Sequence, residues 1–226
     1  MRLGVVVTRV AYGPTGVEVH TVAHGTLQAD RCVCALPLGV LKVDRVAFDP
    51  PLPEAHRAAM AKLEVGVLDK LYLRFPSAFW ATETRAHVLG RVDAPVGRFA
   101  EWMNLHALIG QPVLLGFNAA RIATALPASD DEVVRVALDD LRTMFGERVR
   151  EHVSFVRTQW GSDPFAFGSY SAFGIGSSPR DVEALARPIG GRLFFAGEHT
   201  DSVDPATTHG ARRSGLRAAA EVVAAS

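Results

Sequence analysis

Cysteine is nearly absent from this chain: Cys32 and Cys34 are the only two in 226 residues. Alternate positions on a strand point both thiols to one face. With no further Cys or clustered His to complete a metal or redox site, the pair reads as two small buried hydrophobes. An excess of charge of either sign is missing too. Twenty-four basic and twenty-four acidic residues cancel, which gives no support for a nucleic-acid partner or an anionic membrane surface. No apolar run is long enough to span a bilayer, so no membrane partner is expected. The N-terminus shows no signal peptide, which leaves the location open and favours the cytoplasm. Internal repeats are absent, and so is low-complexity sequence beyond the closing alanines. What remains is 48% hydrophobic and 21% charged, the composition of a globular protein long enough to build a core.

The richest stretch is the C-terminal one. Leu193-Phe194-Phe195-Ala196 is a short continuous apolar run, as expected of a strand buried on both faces. Gly197 then allows close backbone approach, having no Cβ to collide. Glu198 follows at the carboxyl end of that strand, where open α/β sheets bind ligands. Its carboxylate accepts hydrogen bonds and donates none, which suits ribose or ribityl hydroxyls. Asp204 and Pro205 fit the N-cap and first position of a helix running to about Ala224. The exposed N–H groups of such a helix stabilise negative charge. Gly210, Ser214 and Ala218 recur every four residues along it and give a small-residue face. An ordinary buried strand and closing helix would explain those small residues. It would not explain Glu198-His199-Thr200 at the strand end.

These residues resemble the closing block of the flavin-dependent amine oxidase family, which includes polyamine oxidases, monoamine oxidases and flavin-dependent histone lysine demethylases. Phe195 through Thr200, Pro205 through Ala211 and Ser214 through Arg217 carry that likeness. Ala35 through Lys42 and Phe48 through Pro53 resemble its central block. Val65 through Lys70 with Phe79-Trp80, and Trp160 through Ser171, follow in family order, and four ordered blocks are far more specific than one. The family opens with a Gly-x-Gly-x-x-Gly phosphate turn, and no such turn occurs here. Gly174-Ile175-Gly176 neither follows an apolar strand nor opens an apolar helix, and reads as loop.

The resemblance implies FAD as cofactor, a small-molecule amine as substrate with polyamines among the candidates, and a missing N-terminal FAD-binding half as partner. The implied reaction oxidises an amine C–N bond to an imine by hydride transfer to the flavin, and oxygen then reoxidises the flavin to give hydrogen peroxide. Lys70 is the implied catalytic residue, contacting flavin N5 through a water. From the residues alone, a lysine inside the apolar strand 67–73 either reaches solvent or has a designated partner. Neighbouring Asp69 falls on the opposite face and reads as structural.

Tyr170 is implied to wall the substrate site, where its ring face attracts an ammonium. Trp160 reads as core with a substrate role second, and Thr207 matches the position where many members carry a second aromatic. Asp204 serves either as N-cap or as an attractor for a polycationic amine. Cofactor contacts are implied for Val7, Glu198, Thr207 and Thr208, with the helix N-terminus at Thr207-Thr208 facing the flavin N1–C2 edge. No metal ligands are expected.

The expected fold class is α/β, of mixed α+β character. It pairs a partial Rossmann-like FAD-binding region, residues 1–40 and 188–226, with an amine-oxidase-type substrate domain, residues 41–187, built on a mixed sheet flanked by helices. Strands are predicted at 3–12, 17–23, 27–36, 67–75, 86–92, 97–103, 112–118 and 153–160. Helices are predicted at 53–63, 130–145 and 179–186. A related flavoprotein such as an amino-acid oxidase or carotenoid desaturase is one alternative. A non-catalytic module unable to hold FAD is another.

Overall fold

The computed structural model describes residues 1–125 and 129–225. Its first elements are β1 (Val7–Gly13), β2 (Gly16–Thr21), β3 (Thr26–Ala29), β4 (Cys32–Cys34), α1 (Leu38–Lys42), β5 (Ala47–Asp49), α2 (Glu54–Lys62) and β6 (Leu63–Gly66). The chain continues through β7 (Leu68–Arg74), β8 (Val88–Gly90), β9 (Arg98–Asn104), α3 (Leu105–Ile109), β10 (Val113–Ala119), α4 (Ala120–Ala125), α5 (Asp130–Phe145) and β11 (Ser154–Arg157). It closes with β12 (Tyr170–Phe173), α6 (Pro179–Ala186), β13 (Leu193–Phe195) and α7 (Thr208–Ala224). The protein is of the mixed α/β class.

Two compact units divide the chain, one formed by Met1–Val65 with Pro164–Ser226 and the other by Gly66–Asp163. In the first unit β3, β2, β1 and β5 form one sheet, antiparallel except where β1 runs parallel to β5. Beside it, β4 and β13 form a parallel pair with Cys34 opposite Phe195. Leu193, Phe194 and Phe195 are all buried, as the continuous apolar run predicts. The first unit also takes in residues 41–65 and 164–187. Val40, Leu41, Val46 and Leu52 share one apolar cluster with Val10, Leu193 and Phe195, while Leu38, Ala59 and Leu63 pack with Val182 and Leu185 of α6. Burial pushes the Cys34 thiol up to about 11, which fits a packing residue and not a reactive one.

The second unit is a five-stranded antiparallel sheet in the order β11, β7, β10, β9, β8, with α5 packed on it. Three acidic residues in the first turn of α5 and Arg142 in its last complement the helix dipole. Val133, Val134, Ala137, Leu138, Leu141 and Phe145 make its buried stripe, the 3.6-residue period read from the sequence. Trp80 and Trp102 are fully buried. Trp80 donates to Asn104 Oδ1 at 2.8 Å, and Trp102 to the Phe99 carbonyl at 2.9 Å. Burial of each ring is therefore not offset by an unpaired N–H.

The helix expected to open at Asp204-Pro205 opens instead at Thr208, with Thr207 as its N-cap. Asp201 is the reason. Its Oδ1 accepts the backbone N–H groups of Val203 (3.1 Å) and Asp204 (2.9 Å), folding residues 201–204 into a turn that delays the helix. Helix α1 was not foreseen, because five residues behind a proline leave no readable period.

Candidate cofactor and active site

Gly197, two residues past β13, has φ +127°, a backbone state that favours glycine. A Cβ there would lie 2.4 Å from His199 Cε1, so the His199 ring packs directly against this glycine. The Gly197 N–H is held by Ser214 Oγ of α7 at 2.9 Å, and Thr200 Oγ1 donates to the Gly197 carbonyl at 2.8 Å. Burial holds His199 well below its ordinary range, at about 4, against the opposing pull of the Glu198 charge.

Glu198 is the hub of the first unit. Its Oε1 accepts the Ser171 N–H at 2.9 Å, and its Oε2 accepts the Ser171 hydroxyl at 2.5 Å and the Ala206 N–H at 2.6 Å. A carboxylate offers about four acceptor positions, and among the described residues three are filled. The position left over belongs to Oε1.

Through these bonds Glu198 gathers two other predicted site segments. One is the peptide joining Tyr170 to Ser171, at the start of β12; the other is Ala206, which leads into Thr207 and Thr208. Thr207 Oγ1 caps α7 by accepting the Gly210 N–H at 3.0 Å, and it donates to the Asp204 carbonyl at 2.7 Å. Thr208 is exposed at the helix start. Tyr170 is 38% exposed.

Arginines brace the base of this arrangement. Arg213 Nε donates to Asp201 Oδ2 at 2.7 Å, its Nη2 pairs with Asp201 Oδ1, and the same nitrogen reaches Asp204 Oδ2 at 2.9 Å. Those bonds hold the Asp201 carboxyl down at about 2. Asp204 is thereby engaged with Arg213, and His209 Nε2 lies 3.6 Å from it, which leaves it neither the N-cap nor an unopposed charge. Arg217 donates to the Phe195 carbonyl (2.9 Å), Thr200 Oγ1 (3.0 Å) and the Ala186 carbonyl (3.0 Å).

In the second unit, β7 alternates as predicted. Asp69, Leu71 and Leu73 are buried, while Leu68, Lys70 and Tyr72 are half-buried on the other face. Lys70 stands opposite Phe117 of β10. Asp69 Oδ1 accepts the Trp160 N–H at 2.8 Å and the Thr158 hydroxyl at 3.2 Å, which ties Trp160 to the strand that carries Lys70. Trp160 itself is 38% exposed and no core residue. Val7 lies at the head of β1, opposite Thr21, in a different sheet from β13, the strand that leads to Glu198.

Sequence reasoning passed over Ser171, Asp201, Arg213 and Thr158, whose partners are 12 to 89 residues away. The chain has only three lysines, Lys42, Lys62 and Lys70. Lys42 Nζ donates to the Met60 and Leu63 carbonyls, and Lys62 Nζ pairs with Asp181. Among the described residues, Lys70 is the lysine whose amine has no such partner.

The chain matches the family described as flavin containing amine oxidoreductase over residues 1–223, and it belongs to that family. It is 38% identical over 222 residues to lysine-specific histone demethylase 1 homolog 2 of Arabidopsis thaliana, covering 96% of this chain and 30% of the relative. To polyamine oxidase 4 of Oryza sativa subsp. japonica it is 36% identical over 223 residues, covering 98% and 45%. Its fold is that of solved flavin amine oxidases. Putrescine oxidase bound to putrescine superposes with a TM-score of 0.83 at 22% identity, over 97% of this chain and 48% of that one. Cyclohexylamine oxidase from Brevibacterium oxydans gives 0.80 at 23%, over 96% and 48%. The chain thus spans less than half the length of these relatives. No helix among the described residues is long and apolar enough to cross a membrane.

Proposed function

We propose that this chain is the C-terminal portion of an FAD-dependent amine oxidase that converts an amine C–N bond to an imine, with polyamines among its substrates. The Glu198 hub carries the reading. A carboxylate at the end of a buried strand, with one acceptor position left, stands in hydrogen-bonded linkage with an exposed helix N-terminus.

These residues fit a flavin. The remaining acceptor on Glu198 Oε1 suits one ribityl hydroxyl, and the start of α7 at Thr207-Thr208 favours negative charge on the ring edge. Val7 is assigned the adenine end of the cofactor. What the sequence does not contain is a pyrophosphate turn. A partner polypeptide supplies that turn in this proposal, and the open edge of the β4–β13 pair is where a further parallel strand would add.

When bound, FAD supplies the two-electron oxidation and its reversal by oxygen. Tyr170 presents an exposed ring face to the substrate ammonium. Lys70 is assigned a water held by its amine, and Trp160 and Thr207 are each assigned a substrate contact. Glu198 holds cofactor and takes no proton from substrate.

The proposal is tested by retention of flavin. Residues 1–226, purified alone and with a polypeptide carrying a strand, a Gly-x-Gly-x-x-Gly turn and a helix, are passed over a gel-filtration column. The expected result is a colourless chain alone and a yellow complex. Stoichiometric flavin on the chain alone would show that no partner is needed, and none on either would remove FAD from the proposal.

A further inference from the structure

Asp69 is 6% exposed, and a carboxylate that buried persists only with donors around it. Thr158 Oγ1 and the Trp160 N–H supply them at 3.2 and 2.8 Å. The same Thr158 hydroxyl accepts the backbone N–H of Lys70 at 2.8 Å, and the Thr158 N–H donates to the Lys70 carbonyl at 3.0 Å.

Strand pairing alone does not produce this pattern. The β7–β11 ladder ends with Leu71 opposite Arg157, and the next pair would be Lys70 with Thr158. In an antiparallel pair that exchanges both bonds, the Lys70 N–H would go to the Thr158 carbonyl. Here it goes to the side-chain hydroxyl, which is oriented by the aspartate. One carboxylate thus acts through one hydroxyl on the main-chain N–H of Lys70, and directly on the N–H of Trp160.

We propose that Asp69 and Thr158 are positioning residues that set the orientation of Lys70 and Trp160 together. The chemical roles of those two residues rest on the function proposed above; the positioning does not.

The full chain tests this without cofactor, because its composition isolates both reporters. Three lysines and the N-terminal amine give four signals after reductive methylation with labelled carbon, and Lys70→Arg assigns the one from Lys70. Trp80 and Trp102 are fully buried, so acrylamide-quenchable fluorescence comes from Trp160. Thr158→Val keeps the shape and loses the hydroxyl, whereas Thr158→Ser keeps the hydroxyl. The expected result is that Thr158→Val shifts the Lys70 signal and increases quenching of Trp160. Thr158→Ser should leave both at wild-type values, with the Lys42 and Lys62 signals constant throughout.

Asp69→Asn, which weakens the same node, should move both reporters in the same direction as Thr158→Val, and it serves if that variant does not fold. A fall in the unfolding midpoint with both native-state reporters unchanged would overturn the proposal. So would equal shifts in the Val and Ser variants. Failure of the amine-oxidase reading looks different: the wild-type flavoprotein would not be reduced by amines while these reporters behaved as described.

Discussion

Glu198 Oε2 accepts the backbone N–H of Ala206 at 2.6 Å, across eight residues of chain. Ala206 has φ +60°, a left-handed state that costs a non-glycine residue about 1–2 kcal/mol. A hydrogen bond to a charged acceptor contributes about 1.5–3 kcal/mol, enough to offset that cost. The strand-end carboxylate therefore shapes the turn that launches α7.

Glu198→Gln should weaken both this turn and cofactor retention. Either placement of the amide sets its NH2 against an N–H that now meets an acceptor. Thermal unfolding should report a loss of about 1.5–3 kcal/mol. Flavin retention in the assembled protein should fall about ten- to a hundredfold, while flavin-saturated molecules keep most of their turnover. Unchanged stability and flavin content with lost amine oxidation would instead make Glu198 part of the chemistry.

That turn also shows where the sequence was readable and where it was not. Helix α5 lies where its period puts it, because the pattern from Val133 to Phe145 acts over a few turns of chain, and α6 covers the residues predicted for it. Asp204-Pro205 obeys the same local rules and still does not start a helix. Asp201, engaged by Arg213 twelve residues on, and Glu198, engaged by Ser171, impose a turn first. The candidate residues were legible through family likeness, whereas the hydrogen bonds that group them depend on tertiary partners that local pattern does not encode.

Gly210→Ala should destabilise the chain although alanine is normally the better helix former by about 1 kcal/mol. A Cβ at Gly210 would lie 2.1 Å from the Asp204 carbonyl oxygen and 3.0 Å from Thr207 Oγ1. Overpacking of this kind costs about 1–3 kcal/mol, so the net effect should be a lower unfolding midpoint. A higher midpoint would mean that the start of α7 is not fixed as described.

Stability should fall with acid in two stages. His199 ordinarily titrates at 6.5 and is held at about 4 by burial, so between these values the unfolded chain binds a proton that the folded chain does not. Its contribution is complete above 6.5 and is lost as pH falls through about 4. Asp201, lowered from 3.8 to about 2, contributes above 3.8 and loses that contribution as pH falls through about 2. Denaturant unfolding of His199→Gln should show a flatter slope between pH 6.5 and 4, with the lower stage retained. An unchanged slope would contradict burial of the neutral imidazole.

Lys70→Met should leave flavin content intact in the assembled protein, because Lys70 lies on the half-buried face of β7 and its amine holds no structural bond among the described residues. Stopped-flow measurement should find flavin reduction by amine, or reoxidation by oxygen, slowed on the order of a hundredfold, the low end of what a proton-handling group contributes. Wild-type rates in both half-reactions would remove Lys70 from the mechanism.

Anaerobic mixing of the assembled flavoprotein with a polyamine tests the amine-oxidase assignment most directly. The account predicts that the oxidised flavin absorbance bleaches in a single turnover, and that admitted oxygen restores it with release of hydrogen peroxide. A flavin that stays oxidised with amines but is reduced by a free amino acid would contradict it.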